Sequence, residues 1–201
     1  RIPQHGPVVV VANHPLGGLD ALLLLKCLAD VRPDVRVVAN EMLTSIEGLA
    51  PVLLPVPVFD RRAGRQDIRA IEEALAAGCA ILVFPAAAVS RLGWRGVADG
   101  AWRKSFLALA RKAQAPVLPV HIDARNSALF YSASLLAGPV GTALLPRELM
   151  RRRGLRARVH IDDPLPSAML DQLAGRGVDA ARVVRDAVFA LKRGQTTLPP
   201  R

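Results

Sequence analysis

Only two cysteines occur in the 201 residues, Cys27 and Cys79, both in apolar surroundings. They offer neither a disulfide framework nor the paired spacing of a zinc site. Aromatic residues are 4% of the chain, too few for the stacking platform on which single-stranded nucleic acid is held. Lysine is also scarce: Lys26, Lys104, Lys112 and Lys192 are the four among 27 Lys+Arg. The unbroken apolar stretches, such as residues 8–12 and 79–84, stop far short of the roughly 20 residues that span a bilayer. Residues 1–6 carry no signal-peptide pattern, and an arginine at position 1 leads us to expect further sequence upstream. These shortages argue against a membrane-spanning or disulfide-stapled protein.

Apolar residues, by contrast, supply 51% of the chain, enough to bury a full core and set disorder aside. One domain is expected at this length, placed at residues 1–194 with a frayed tail at 195–201. Acidic residues number 17 against 27 cations, a formal charge of +10. Arginine carries most of it, and its planar fork suits phosphate and carboxylate better than an ammonium does; genomic base composition can produce the same bias. Such charge points first to an anionic membrane surface or an acidic partner, and only second to nucleic acid.

Short apolar runs alternate with longer amphipathic segments. Strands are expected at residues 7–12, 35–39, 80–84, 116–122 and 157–161. Helices are expected at 19–31, 66–77, 101–113 and 179–192, with shorter ones near 41–46 and 126–136. In 66–77 the apolar positions Ile68, Ile71, Ala74 and Leu75 share one helical face, and Gly78 supplies a stop. Continuous Val/Ile/Leu strands between helices indicate a sheet buried on both faces. The fold class is α/β, a single domain with a mostly parallel central sheet flanked by helices. The proline-rich residues 50–57 and the glycine-bearing residues 93–100 read as working loops.

Four segments bear chemistry. In the first, the valine run ends in Asn13-His14-Pro15-Leu16-Gly17-Gly18-Leu19-Asp20, which brings His14 and Asp20 to the carboxyl end of a strand, where open α/β sheets keep their sites. A carboxylate on one ring nitrogen fixes the tautomer that lets the other act as a base. The plainer roles, Asp20 as a helix cap and His14 as a loop histidine, also fit. The second, Phe84-Pro85-Ala86-Ala87-Ala88-Val89-Ser90-Arg91, reads either as an ordinary strand exit or as a turn whose backbone N–H groups, with Arg91, bind an anion. Without a Gly-x-Ser-x-Gly elbow, Ser90 is a poor nucleophile candidate. Third is Val56-Pro57-Val58-Phe59-Asp60-Arg61-Arg62, a stiffened apolar segment ending in two arginines, which reads equally as a strand edge with a solvated charge pair or as a binding segment. The fourth, residues 115–122, holds Pro119, unusual inside a central strand, and His121, which lacks a companion at metal-ligand spacing and reads as structural.

Together these segments resemble the glycerolipid (lysophospholipid) acyltransferases, whose marks are an Asn-His-x-x-x-x-Asp block, Phe-x-x-Arg, Phe-Pro-Glu-Gly-Thr-Arg and a Val-Pro-Val strand. More similar still is the hemolysin-like branch, with Asn-His-Pro-Leu-Gly-Gly-x-Asp and Phe-Pro-Ala-Gly-Glu-Val-Ser-Arg. That branch includes the bacterial enzymes that O-acylate lyso-ornithine and lyso-glycine lipids. Gly96-Val97-Ala98-Asp99-Gly100-Ala101-Trp102, Arg125-Asn126-Ser127-Ala128-Leu129-Phe130-Tyr131 and Leu145-Pro146-Arg147-Glu148-Leu149 extend the likeness, which covers about residues 8–166. Departures concentrate at Ala86-Ala87-Ala88, where the branch has Ala-Gly-Glu, and at Val89, where the broad family has arginine.

The resemblance implies an acyltransferase fold and transfer of a fatty acyl group from a thioester to a lysolipid hydroxyl, with no cofactor and no metal. His14 then reads as general base and Asp20 as the carboxylate that holds it. Substrate binding falls to Asn13, Gly17, Gly18, Phe59, Arg61, Arg62, Phe84, Pro85, Ser90 and Arg91. The implied partners are the lysolipid, acyl carrier protein or acyl-CoA, and an anionic membrane surface, but no nucleic acid. Arg147, Arg151, Arg152, Arg153, Arg156 and Arg158 form the densest basic cluster. The expected location is peripheral, on the cytoplasmic face of a bacterial membrane. A catalytically impaired lipid-binding module of the same fold, as part of a larger fused protein, remains the alternative at this point, motivated by the three alanines.

Overall fold

The computed structural model describes residues 1–45, 48–57, 64–86, 88–93, 96–126 and 157–192. Along the chain run β1 (Val8–Ala12), α1 (Gly18–Ala29), β2 (Val35–Asn40), β3 (Leu53–Val56), α2 (Arg65–Ala76) and β4 (Ala80–Val83). They are followed by β5 (Arg91–Gly93), β6 (Gly96–Ala98), α3 (Ser105–Lys112), β7 (Val117–Asp123), β8 (Arg158–Ile161), α4 (Ser167–Gly175) and α5 (Ala180–Leu191). Six strands make one sheet in the order β3-β2-β4-β1-β7-β8, while β5 and β6 form a separate antiparallel ribbon. Within the large sheet all neighbours are parallel except β7 and β8.

The valine run forms a central strand because both of its faces are covered. Val9 and Val11 pack with Ile71 and Leu75 of α2, Phe106 of α3, and Val184 and Val188 of α5. Val8 and Val10 point the other way, onto Leu24 and Leu28 of α1, as the two-residue period of a strand requires. Each of these fully buried valines contributes roughly 1.5–3 kcal/mol of apolar burial. Helices on both faces of a mostly parallel sheet make this an α/β fold, and β1 delivers its carboxyl end to the middle of the sheet edge.

The five expected strands and four longer helices are present, with ends shifted by a few residues. The segment near 41–46 is a 3₁₀ turn, Glu41–Ser45, and all of 126–136 beyond Asn126 lies outside the described residues, as does the tail at 195–201. Three elements depart from expectation. Residues 50–57 contain β3, an edge strand in which Pro55 lies opposite Ala39; at an edge, proline's missing N–H breaks no second ladder. Residues 93–100 contain half of the β5–β6 ribbon, and α4 follows Pro166 unanticipated. On α2, Ile71 and Leu75 are buried and Gly78 (φ +85°) ends the helix, but Ile68 in the first turn is exposed. Pro119 sits in an unbroken β7 at the point where pairing to β8 stops: its carbonyl accepts the Asp162 N–H at 3.1 Å, one residue past β8.

At the amino end of the sheet, Arg32 is only 1% exposed and fully engaged. Its guanidinium holds both carboxylate oxygens of Asp34 at 2.7 and 2.6 Å. It also donates to the carbonyls of Pro3 (3.0 Å), Gly6 (2.9 Å) and Gly78 (2.7 Å). One side chain thereby ties the amino-terminal segment, the α1–β2 turn and the α2–β4 turn together.

Candidate active site

At the carboxyl end of β1 the chain turns through Gly17, whose φ of +79° suits glycine, and enters α1. Asp20, in the first turn of α1, reaches back: its Oδ2 accepts the N–H groups of Leu16 (2.8 Å) and Gly17 (3.0 Å). The same oxygen lies 3.0 Å from His14 Nδ1. Asp20 is therefore both a helix-terminus acceptor and the imidazole's neighbour; the two roles are one arrangement. Its side chain is fully buried, whereas that of His14 is 17% exposed. Among the described residues neither Nδ1 nor Asp20 Oδ1 has a partner in hydrogen-bond geometry. Burial raises the Asp20 pKa above its ordinary 3.8, opposed by the contact with His14 and by the two backbone N–H groups.

A second layer fixes this loop. Phe84, just past β4, stacks on the imidazole with ring centroids 4.3 Å apart. Ser90 N–H donates to the His14 carbonyl at 2.8 Å, and Ser90 Oγ donates to Asp99 Oδ1. That oxygen also accepts the His14 N–H (3.2 Å), while Oδ2 accepts Trp102 Nε1–H (3.0 Å). Arg185 of α5 donates to the Asp99 carbonyl at 2.8 Å and lies over the Phe189 ring. Asn13 binds Ile122 of β7 through both its amide atoms, at 3.0 and 2.7 Å. Asn126 Nδ2 donates to the Pro15 carbonyl at 2.8 Å.

The structure thus gathers His14, Asp20, Asn13, Gly17, Gly18, Phe84, Pro85 and Ser90 around one strand end. Asn13 and Ser90 are buried and spend their polar atoms on the protein itself. Gly18 is exposed, with open space where a Cβ would stand. Arg91 begins β5, and its backbone alone is described; Phe59, Arg61 and Arg62 lie outside the described residues. Ala86 packs on the core, whereas Ala88 is exposed. Asp99 and Trp102 were singled out by resemblance only, and Arg185 gave no signal, since a lone arginine on an amphipathic helix reads as solvated.

A cavity of about 50 Å³ lies behind the loop, lined by Asn13, Pro15, Ser90, His121, Arg125, Phe189 and Lys192 among others. Its size suits a few waters rather than an acyl chain. His121 is buried against it, its pKa lowered to about 4, first by burial and then by Lys192. A larger groove of about 510 Å³ runs between α2 and α3 beside Pro7, a strand's length, roughly 20 Å, from His14; it is no part of this site. Among the described residues no three His, Cys, Asp or Glu side chains gather as a metal-ligating group, and no helix is long and apolar enough to cross a membrane.

Residues 1–197 match the model of a family described as acyltransferase. A lyso-glycine lipid O-acyltransferase of Phocaeicola vulgatus is 28% identical over 198 residues, 95% of this chain and 70% of that protein. One of the same name from Bacteroides thetaiotaomicron is 27% identical over 198 residues, 95% of this chain and 72% of its own length. The fold is similar to the crystal structure of the 1-acyl-sn-glycerophosphate (LPA) acyltransferase PlsC from Thermotoga maritima, with a TM-score of 0.56 and 20% identity. That match covers 100% of this chain and 70% of the other.

Proposed function

This chain belongs to the acyltransferase family, and we propose that it moves a fatty acyl group from a thioester onto the hydroxyl of a lysolipid, with His14 as general base. The observation that carries the reading is the 3.0 Å approach of His14 Nδ1 to a fully buried Asp20 at the carboxyl end of β1. With Nδ1 turned to Asp20, Nε2 is left for the substrate. An alcohol is a weak nucleophile at neutral pH and gains from a base at hydrogen-bond distance. Its proton passes to Nε2 as its oxygen bonds to the thioester carbonyl carbon. The C–S bond then breaks, and the departing thiolate takes the proton back from the imidazolium, so no acyl-enzyme forms. Asp20 stabilises the transient cation. Backbone N–H groups after β4 stabilise the oxyanion, with Arg61 or Arg91; the Ser90 N–H is not among them, because the His14 carbonyl takes it.

The names of the two bacterial relatives favour a lyso-glycine lipid as acceptor. An arginine-rich chain of net charge +10 suits either donor, the acidic acyl carrier protein or the phosphates of CoA. The same charge suits peripheral docking on the anionic cytoplasmic face of a bacterial membrane, each cation near the surface contributing about 1 kcal/mol. The scheme requires no metal or cofactor beyond the thioester co-substrate. Its test is to supply the purified chain with acyl carrier protein or CoA thioesters and with lyso-glycine lipid or lysophosphatidate, and to follow thiol release and lipid mass together. An acyl-mass gain on lyso-glycine lipid matched by free thiol is expected. Unchanged donor, or thiol released without acylated lipid, would overturn the reading.

A further inference from the structure

We infer that Asp99 is the positioning residue of the site, setting the His14 backbone through its carboxylate; this rests on the general-base reading of His14. Asp99 directly follows β6, far from His14 in sequence, and is 5% exposed. Three donors from three places converge on its carboxylate: His14 N–H, Ser90 Oγ–H and Trp102 Nε1–H. Its own carbonyl is gripped by Arg185 of α5. The consequence for His14 is specific. Its N–H is held by Asp99, and its C=O is held by Ser90 N–H at 2.8 Å, a residue whose hydroxyl returns to Asp99. Both polar backbone atoms of the base are thus clamped by one closed circuit joining the loop after β1, the loop after β4 and the segment after β6.

An acceptor of three donors must be acceptor-only at both oxygens, which an ionised carboxylate is and an amide is not. In Asp99→Asn the new NH₂ faces either Trp102 Nε1–H or the His14 and Ser90 donors, so no orientation of the amide satisfies all three. Removing the opposing indole donor, as in Trp102→Phe, lets the amide oxygen return to His14 and Ser90. The pair of substitutions therefore separates positioning from packing. Contacting residues couple in stability in either case, so kcat decides: if Asp99 and Trp102 served only the core, the second substitution would restore stability without moving kcat; if Asp99 positions His14, it restores kcat.

The experiment measures kcat and KM for acyl transfer by the full chain and its Asp99→Asn, Asp99→Asn/Trp102→Phe, Ser90→Ala and Ser90→Thr variants, each checked for folding by circular dichroism. Displacement of a catalytic group by about 1 Å can cost about 100-fold, so Asp99→Asn is expected to lower kcat by about 10–100-fold with KM little changed. The double variant should regain part of that loss. Ser90→Ala should lower kcat less, about 3–10-fold on the same scale, and Ser90→Thr, which keeps the hydroxyl, should recover it. Unchanged kcat in Asp99→Asn, or a double variant worse than the single, overturns the inference while leaving the proposed reaction intact. Should Asp99→Asn not fold, Ser90→Ala decides alone: unchanged kcat overturns it. A wild-type chain that transfers no acyl group overturns both.

Discussion

The two ends of the sheet each bury a charged side chain, and they treat it in opposite ways. At the amino end Arg32 meets a carboxylate and three carbonyls, and Asp34 beside it has its pKa lowered, chiefly by the hydrogen bond from that guanidinium. At the carboxyl end Asp20 is equally buried, yet among the described residues one of its oxygens lacks a hydrogen-bond partner, and burial raises its pKa. A satisfied buried charge holds chain segments together. An under-satisfied one sits beside the histidine that we assign as the base, and it costs stability. The fold spends its hydrogen-bond donors at one end on architecture and keeps the other end electrostatically tense, as functional sites often are.

This contrast can be broken from either side. The largest effect is expected at His14: His14→Ala should lower the transfer rate by about 100- to 10,000-fold, the range for a lost general base, with a melting temperature close to that of the parent chain. Rate and melting curve taken on the same preparation check it. Arg32→Met is the mirror case. The guanidinium is buried but Asp34 is 39% exposed, so what is lost is a set of charge-assisted hydrogen bonds, about 2–4 kcal/mol in all, and urea midpoints should fall while the rate per folded molecule is retained. Equal losses of rate from the two substitutions would erase the distinction between the two ends.

A smaller effect is tied to pH. His121 titrates near 6.5 when unfolded but only at about 4 when folded. Between those values the unfolded chain binds the extra proton, so stability falls as pH drops through this window, by about 3 kcal/mol in full. His121→Gln should flatten that acid limb in denaturant titrations. Smallest of all are the two glycines of the loop. Gly17→Ala forces a side chain into φ +79°, ψ −137° and should cost about 1–3 kcal/mol. Gly18→Ala meets open space and should stay within about 0.5 kcal/mol of the parent.

Legibility in the sequence followed locality. The strands β1, β4 and β7 announce themselves as apolar runs, and a turn of two glycines between His14 and Asp20 suffices to show that they meet. β3 was hidden because Pro51, Pro55 and Pro57 read as loop chemistry, which an edge strand tolerates. Arg32 sits in an Arg-Pro-Asp turn that looks solvated; its burial arises only when Pro3, Gly6 and Gly78 arrive from distant parts of the chain. Asp99 is the same case at the other end, since its partners His14 and Ser90 reach it through the fold. Contacts of this kind leave no periodicity to read.

The pairing of His14 with a buried Asp20 is tested most directly by Asp20→Asn, assayed for acyl transfer and for thermal unfolding in parallel. A raised folded pKa means that the native state binds the Asp20 proton more readily than the unfolded chain. Its contribution therefore favours the fold in acid and is lost as pH rises through the folded value, leaving a cost at neutral pH. An amide removes that cost. At pH 7 the transfer rate is expected to fall by about 100-fold or more while the melting temperature holds or rises. A variant that keeps its transfer rate, or whose melting temperature falls together with it, would rule out this role for Asp20.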